Sequence, residues 1–292
     1  EPPTNLRAGA MKLGFNLLLW TGHVTDEHWP IIERLQALGY DGVEIPMFGG
    51  DVAHYEALGR RLAAAGLKST GISVMPGGGK SAVSADSAER AAALEHIKWL
   101  VDCTAAIGGD VAAGPFHQPL GEFTGTGPTA DERARVVEVH KAAAQYAALQ
   151  GVTLSVEPLN RFECYFLNTA RQAADLVKAV DEPNYGYLYD TFHFNIEENS
   201  ITDVIPQTIH QISHVHISEN NRGVPGAGHI DFQSVFTALK KAGYDGWMTI
   251  EAFGSPLPDL VAATKVWRPL FKDQFDVPTQ GIQLMRDGWA KA

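Results

Sequence analysis

The sequence predicts an α/β fold, a closed (β/α)8 TIM barrel, on three observations. Eight short runs rich in β-forming residues are spread along the whole chain, stretches of helical periodicity separate them, and no linker interrupts the alternation. Strands that alternate with helices every roughly 20–40 residues are joined by crossovers and so run parallel. Eight such units suit a closed ring, and an open doubly wound sheet is the rival. No GxGxxG follows the first run, which counts modestly against a dinucleotide-binding sheet.

The elements follow in order. KLGFNLLLW (12–20) is the first strand. In DEHWPIIERLQALGYDG, Ile31, Leu35 and Leu38 fall at i, i+4 and i+7, predicting a helix that stops at Gly39. GVEIPMF (42–48) and KSTGISV (68–74) are the next two strands. DSAERAAALEHIKWLVDCTAAIGG reads as a long Ala-rich helix with an Asp or Ser cap and a stop at paired glycines. Then come DVAAGPF (110–116), VTLSVEPL (152–159), YGYLYDT (185–191), ISHVHIS (212–218) and WMTIEAF (247–253). AADLVKAVDEPN and FQSVFTALKKAGYDG are helices closed by Pro or Gly just beyond their ends. ALGYDGVEI (37–45) and KAGYDGWMTIEAF (241–253) echo one another: a helix ends at Gly, a short turn follows, and a strand carries an acidic residue. The Gly-, Pro- and Ser-rich loops at 76–87, 117–130 and 219–230 all follow strands, and in a barrel such loops form the active face. A single domain is expected over residues 11–292, after a flexible tail at 1–10.

Composition narrows the partners. With 292 residues, 45% hydrophobic and 20% charged, the chain is long enough to bury a substantial core. A net charge of -11 with no run of Lys or Arg argues against nucleic acid and anionic membrane, and a neutral or cationic small molecule suits it better. Cys103 and Cys164 have no disulfide-framework spacing, which predicts a reduced, cytoplasmic protein. No segment approaches the roughly 18 consecutive apolar residues of a membrane span, and EPPTNLRAGA lacks the apolar core of a secretory signal.

The tips of the last four strands carry the chemistry. Glu157, Asp190, His216 and Glu251 stand at the C-terminal ends of consecutive strands, so a barrel brings them to one side of its mouth. One acidic residue at a strand end is most often a helix cap or an ion-pair partner. Three carboxylates held together repel one another unless a cation sits among them. Three oxygen donors and one imidazole suit Mn²⁺, Mg²⁺ or Co²⁺ with positions left open, and suit zinc less well. Alternation along SHVHIS puts His214 on the same strand face as His216 and one layer deeper, as a hydrogen-bonded core histidine. His96 and His140 fall in helices as packing or surface residues. His23, His54, His117, His210 and His229 stay open.

With these residues placed, the chain resembles the ketose 3-epimerases that act on tagatose, allulose (psicose) or ribulose, within the xylose-isomerase-like barrels. EPLNRFE (157–163), YDTFHFNIEE (189–198), HVHISENNRG (214–223) and TIEAF (249–253) carry the likeness, which extends over 11–292. The separations of 33, 26 and 35 residues (190 − 157, 216 − 190, 251 − 216) match that family. The resemblance implies that Glu157, Asp190, His216 and Glu251 bind the metal, Mn²⁺ first, and that Glu157 and Glu251 are the acid/base pair. It also implies that Glu163, His193 and Arg222 bind the O1 to O3 end of a sugar, and that the protein is a homodimer or homotetramer. The alternatives are a surface ion pair for Glu163 with Arg222 and a loop hydrogen bond for His193.

The implied chemistry is inversion at C3 of a ketose through a cis-enediolate, with one base on each face of C3. Relatives with the same four ligands act on 3-keto-glycosides by C4 epimerisation or β-elimination. Some of those resemble NRYQ where this chain has NRFE, so Glu163 favours a free ketose. A non-catalytic carbohydrate-binding barrel is a third reading, disfavoured by retention of both Glu157 and Glu251. The likeness thins in the first half of the barrel. There Phe15 and Trp20 are expected to wall the far end of the sugar, and His117 and Gln118 in GPFHQPLGEFTGTGPT (114–129) are candidate polar contacts or solvated loop residues. KVWRPLF (265–271) and IQLMRDGWA are candidate subunit contacts or packing against the barrel.

Overall fold

In the computed structural model, which describes residues 11–292, the strands are β1 Lys12–Asn16, β2 Gly42–Pro46, β3 Lys68–Ile72, β4 Val111–Gly114, β5 Thr153–Val156, β6 Tyr185–Asp190, β7 Ile212–Ile217 and β8 Trp247–Ile250. Each pairs in parallel with the next, and β1 pairs with β8, so the sheet is a closed barrel. The expectation for residues 1–10 lies outside the described residues. The helices are α1 Trp29–Leu38, α2 Val52–Ala64, α3 Ser87–Ala106, α4 Ala130–Ala148, α5 Ala170–Val180, α6 Thr191–Glu197, α7 Val204–Thr208, α8 Phe232–Lys241, α9 Pro258–Thr264 and α10 Asp276–Lys291. No described helix is long and apolar enough to cross a membrane.

Local chemistry sets the boundaries. The first strand is shorter than KLGFNLLLW suggests, because the Asn16 side chain accepts the Leu18 amide and turns Leu17–Leu19 into a 3-10 turn. Asp86 caps α3, and Thr129 and Thr169 form capping boxes with Glu132 and Gln172 at α4 and α5. α1 ends at Gly39 with φ 101°, but its buried stripe is Ile32 and Leu35, with Ile31 and Leu38 at its margins. α5 closes on Asp181 in the left-handed conformation, two residues before Pro183.

Two glycines allow the barrel to close tightly. A Cβ on Gly42 would lie 2.4 Å from the Lys68 carbonyl oxygen, and one on Gly114 (φ 132°) would lie 1.8 Å from the Ser73 carbonyl oxygen. α10 packs back on the barrel wall: Gly281 faces Ile250, Gly288 faces Phe236, and the Tyr40 hydroxyl donates to the Pro278 carbonyl at 2.7 Å. This part of the C-terminus is therefore a packing element. In the 265–271 stretch, Trp267 is 71% exposed.

Strand register positions the site. Glu44 stands opposite Asn16 of β1 and Thr70 of β3. Between β6 and β7 the register shifts after Tyr187, which pairs with Ile212, so that Leu188 pairs with His214 and Asp190 with His216. Without that extra residue on β7, Asp190 would face Val215. A single bulge thus sets the two functional side chains side by side.

Candidate metal centre and active site

Glu157 directly follows β5, Asp190 ends β6, His216 is next to last in β7 and Glu251 directly follows β8. One donor atom from each lies within 4.8 Å of the other three, and all four residues are buried. His216 Nδ1 is 3.5 Å from Asp190 Oδ2 and 3.4 Å from Glu251 Oε2. Its Nε2 is 2.6 Å from Glu44 Oε1 and donates a hydrogen bond to it, so Nδ1 faces the carboxylates. Neither Asp190 Oδ2 nor His216 Nδ1 has a hydrogen-bond partner. Acceptors that converge in a buried place without a donor fit a cation, and this donor set suits a hard or borderline divalent ion. The residues present therefore fit the metal.

Burial, then the charges of Glu251 and Asp190, push the Glu157 carboxyl well above the usual range. Burial also opposes ionisation of Asp190, but His193, His216 and Arg222 outweigh it and hold that carboxyl below its usual range. Burial disfavours charge on His216 as well, yet Glu44 and Glu251 raise its pKa well above normal.

Glu163, His193 and Arg222 form one connected group beside the centre. The backbone amide of Asn160 donates to His193 Nδ1 at 2.9 Å, which leaves the proton on Nε2, 3.7 Å from Glu157 Oε2. Burial lowers the His193 pKa, against the opposing pull of Asp190. Arg222 Nη2 donates to Glu163 Oε2 at 3.2 Å, and Glu163 also accepts from Asn160 Nδ2. Arg222 adopts the left-handed conformation (φ 63°), rare for a side chain of its size, and its guanidinium lies 3.9 Å from the centre of the Phe192 ring. Glu163 and Arg222 do form an ion pair, but a largely buried one at the cavity wall rather than a surface pair.

A cavity of about 720 Å³ opens above these residues, with Glu157, Glu251, Glu163, His193 and Arg222 in its lining. Several expectations for the first half of the barrel are corrected here. Phe15 and Trp20 do not line the cavity: Phe15 packs against Trp20 and Tyr40, Trp20 against Phe275, and Leu18 forms the wall instead. His117 and Gln118 are neither solvated nor in the lining. His117 donates from Nε2 to the Glu157 carbonyl at 3.0 Å, while Gln118 accepts the amides of Tyr165 and Phe166. Both tie the loop after β4 to the segment after β5. His214 is fully buried and hydrogen-bonded to Glu44, as expected of a core histidine. His140 is a buried packing residue, His96 bonds the Val74 carbonyl, His23 stacks on His54, and His210 and His229 are exposed.

Glu44, Asn16 and Asn160 were not singled out from the sequence. Glu44 is fully buried at the barrel centre, Asn16 Nδ2 lies 3.0 Å from Glu44 Oε1 and 3.4 Å from Glu251 Oε2, and Asn160 orients His193. The available signal was the acid of GVEIPMF itself, a charge in an otherwise uncharged strand that has to find partners when buried.

A parallel barrel whose strand tips gather three carboxylates and an imidazole under a deep cavity is a TIM barrel built for chemistry on a small molecule. Residues 32–270 match the family model described as a xylose isomerase-like TIM barrel. The ketose 3-epimerase of Arthrobacter globiformis is 31% identical over 95% of this chain and 96% of its own length. The crystal structure of D-allulose 3-epimerase from Methylomonas sp. in complex with D-allulose superposes with a TM-score of 0.88 at 29% identity, covering 96% of this chain and 97% of that one. The 3-dehydro-D-guloside 4-epimerase of Escherichia coli is 27% identical over 74% of this chain and 84% of its own length. The chain belongs to the ketose 3-epimerase family of xylose isomerase-like barrels, and it is an enzyme of the isomerase class.

Proposed function

We propose that this enzyme inverts C3 of free ketohexoses or ketopentoses with a divalent metal, Mn²⁺ foremost and Co²⁺ or Mg²⁺ as alternatives, held by Glu157, Asp190, His216 and Glu251. The convergence of those four donor groups beside a cavity deep enough to admit a sugar carries the reading. When bound, the cation supplies Lewis-acid polarisation of the ketose carbonyl and so acidifies the neighbouring C–H. Glu157 and Glu251 come from strands on either side of Asp190 and His216, and both line the cavity. In the proposal one takes the C3 proton and the other returns a proton to the opposite face. His193 offers its Nε2–H, and Arg222 its guanidinium, both from the cavity lining, to the oxygen on which negative charge develops. Glu163 holds Arg222 in place and accepts from a sugar hydroxyl. The proposal includes a homodimer or homotetramer, for which exposed Trp267 and Phe162 are candidate contacts.

The size of the cavity supports a second reading. A ketohexose displaces the volume of six or seven waters, roughly 200 Å³, whereas this cavity holds about 720 Å³. Leu18, Phe48, Leu120, Leu257 and Leu260 line its outer part, which suits the aglycone of a 3-keto-glycoside. Incubation in deuterated water with ketohexoses, ketopentoses and 3-keto-glucosides separates the two. Deuterium at C3 of recovered ketoses, lost after chelation and regained with Mn²⁺ or Co²⁺, is the expected result. Label at C4, or release of an aglycone, supports the second reading, and turnover in a verified metal-free sample overturns the metal.

A further inference from the structure

Beneath the four metal-ligand candidates lies a carboxylate to which sequence and family gave no role. Glu44 is fully buried, and each of its oxygens accepts twice. Oε1 takes His216 Nε2 at 2.6 Å and Asn16 Nδ2 at 3.0 Å, and Oε2 takes His214 Nε2 at 2.7 Å and Thr70 Oγ1 at 2.9 Å. A carboxylate has about four acceptor sites, so this one is saturated, which is how a charge survives at the barrel axis. Glu44, His214 and His216 also have donor atoms within 4.8 Å of one another. The nitrogen–oxygen distances of 2.6 and 2.7 Å are those of charge-assisted hydrogen bonds, however, and leave no room for an ion between the atoms.

We propose that Glu44 is the positioning residue of the metal centre: by accepting the Nε2 proton of His216 it fixes the tautomer and ring orientation that present Nδ1 to the ion. Through Asn16, bonded to both Glu44 and Glu251, it steadies a second ligand. Imidazole ligands whose second nitrogen donates to a carboxylate are oriented and made more basic by it. The register supplies the geometry, because Asn16 and Thr70 stand opposite Glu44 on the two flanking strands. A glutamine at 44 keeps an acceptor at only one of the two oxygen positions and puts an NH2 donor at the other, so it cannot accept from His214 and His216 where they now stand. One ring must then reorient, change tautomer or lose its partner.

This rests on the metal-centre reading above, and the test keeps the two apart. Mn²⁺ affinity is measured by competition with a fluorescent chelator for wild type and Glu44→Gln, both checked for folding by circular dichroism. Glu44→Gln is expected to bind about 10–100-fold more weakly. In parallel, long-range proton–nitrogen NMR of ¹⁵N-histidine-labelled, Mg²⁺-loaded wild type should place the His216 proton on Nε2 with Nδ1 bare. That signature does not depend on the variant folding. Wild-type affinity in folded Glu44→Gln, or a proton on His216 Nδ1 in the loaded protein, overturns the role of Glu44 while leaving the metal centre standing. Wild type that binds neither ion overturns the centre, and with it this inference.

Discussion

Acidification tests the buried histidine that anchors the loop after β4. His140, fully buried on α4, donates from Nε2 to the Phe116 carbonyl at 3.2 Å and accepts the Tyr185 hydroxyl at Nδ1, 2.6 Å away. A second proton on Nδ1 would set two donors against each other in a dry site. Burial, followed by nearby His117, pushes this imidazole down from 6.5 to about 3. The unfolded chain, with an ordinary histidine, therefore binds the proton first as pH falls. The stability contributed by keeping His140 neutral is complete above about pH 6.5, and it is lost progressively as pH falls towards the folded value near 3. Between about pH 7.5 and pH 5, linkage with these two values gives a loss of about 2 kcal/mol from His140 alone. Urea unfolding at both pH values, with EDTA present so that metal release plays no part, measures it in wild type and His140→Gln. Glutamine does not titrate, and every other titrating group is common to both proteins. The variant should be less stable at pH 7.5 by about 1–3 kcal/mol for its lost hydrogen bonding, yet its acid loss should be smaller by about 2 kcal/mol. Parallel pH dependences would refute the reasoning.

Two further outcomes are expected. Glu157→Gln and Glu251→Gln should each lower kcat by at least about 10²–10⁴-fold, with metal occupancy determined on the same samples, and near-native turnover by either removes it from the acid/base pair. Gly114→Ala would place a Cβ 1.8 Å from the Ser73 carbonyl, beside the Gly114 carbonyl that accepts the Glu157 amide at 2.9 Å. It should cost more than about 3 kcal/mol in urea unfolding and depress kcat as well, and a variant within about 1 kcal/mol of wild type contradicts that packing.

The sequence by itself determined the order and type of the elements, the parallel closed barrel and the four strand-tip groups. These follow from local propensity, hydrophobic period and strand polarity, all of which act along the chain. It also exposed the family through motifs such as EPLNRFE and YDTFHFNIEE. What it did not expose depended on distance across the barrel. Glu44 and His216 are 172 positions apart, yet they share a hydrogen bond. The register shift between β6 and β7 sets Asp190 against His216, and pattern along a single strand carries no register. His117 and Gln118 sit in a Gly- and Pro-rich stretch that reads as solvated loop, and only packing against the segment after β5 buries them. The same limit misassigned the first strand's aromatics, since which face of the ring Phe15 and Trp20 meet is decided by Tyr40 and by Phe275, more than 250 residues along the chain. Side-chain chemistry and period are local and can be read from the chain. Register, tautomer and the partner of a buried charge are set by contacts between remote segments, and only the closed barrel makes those contacts.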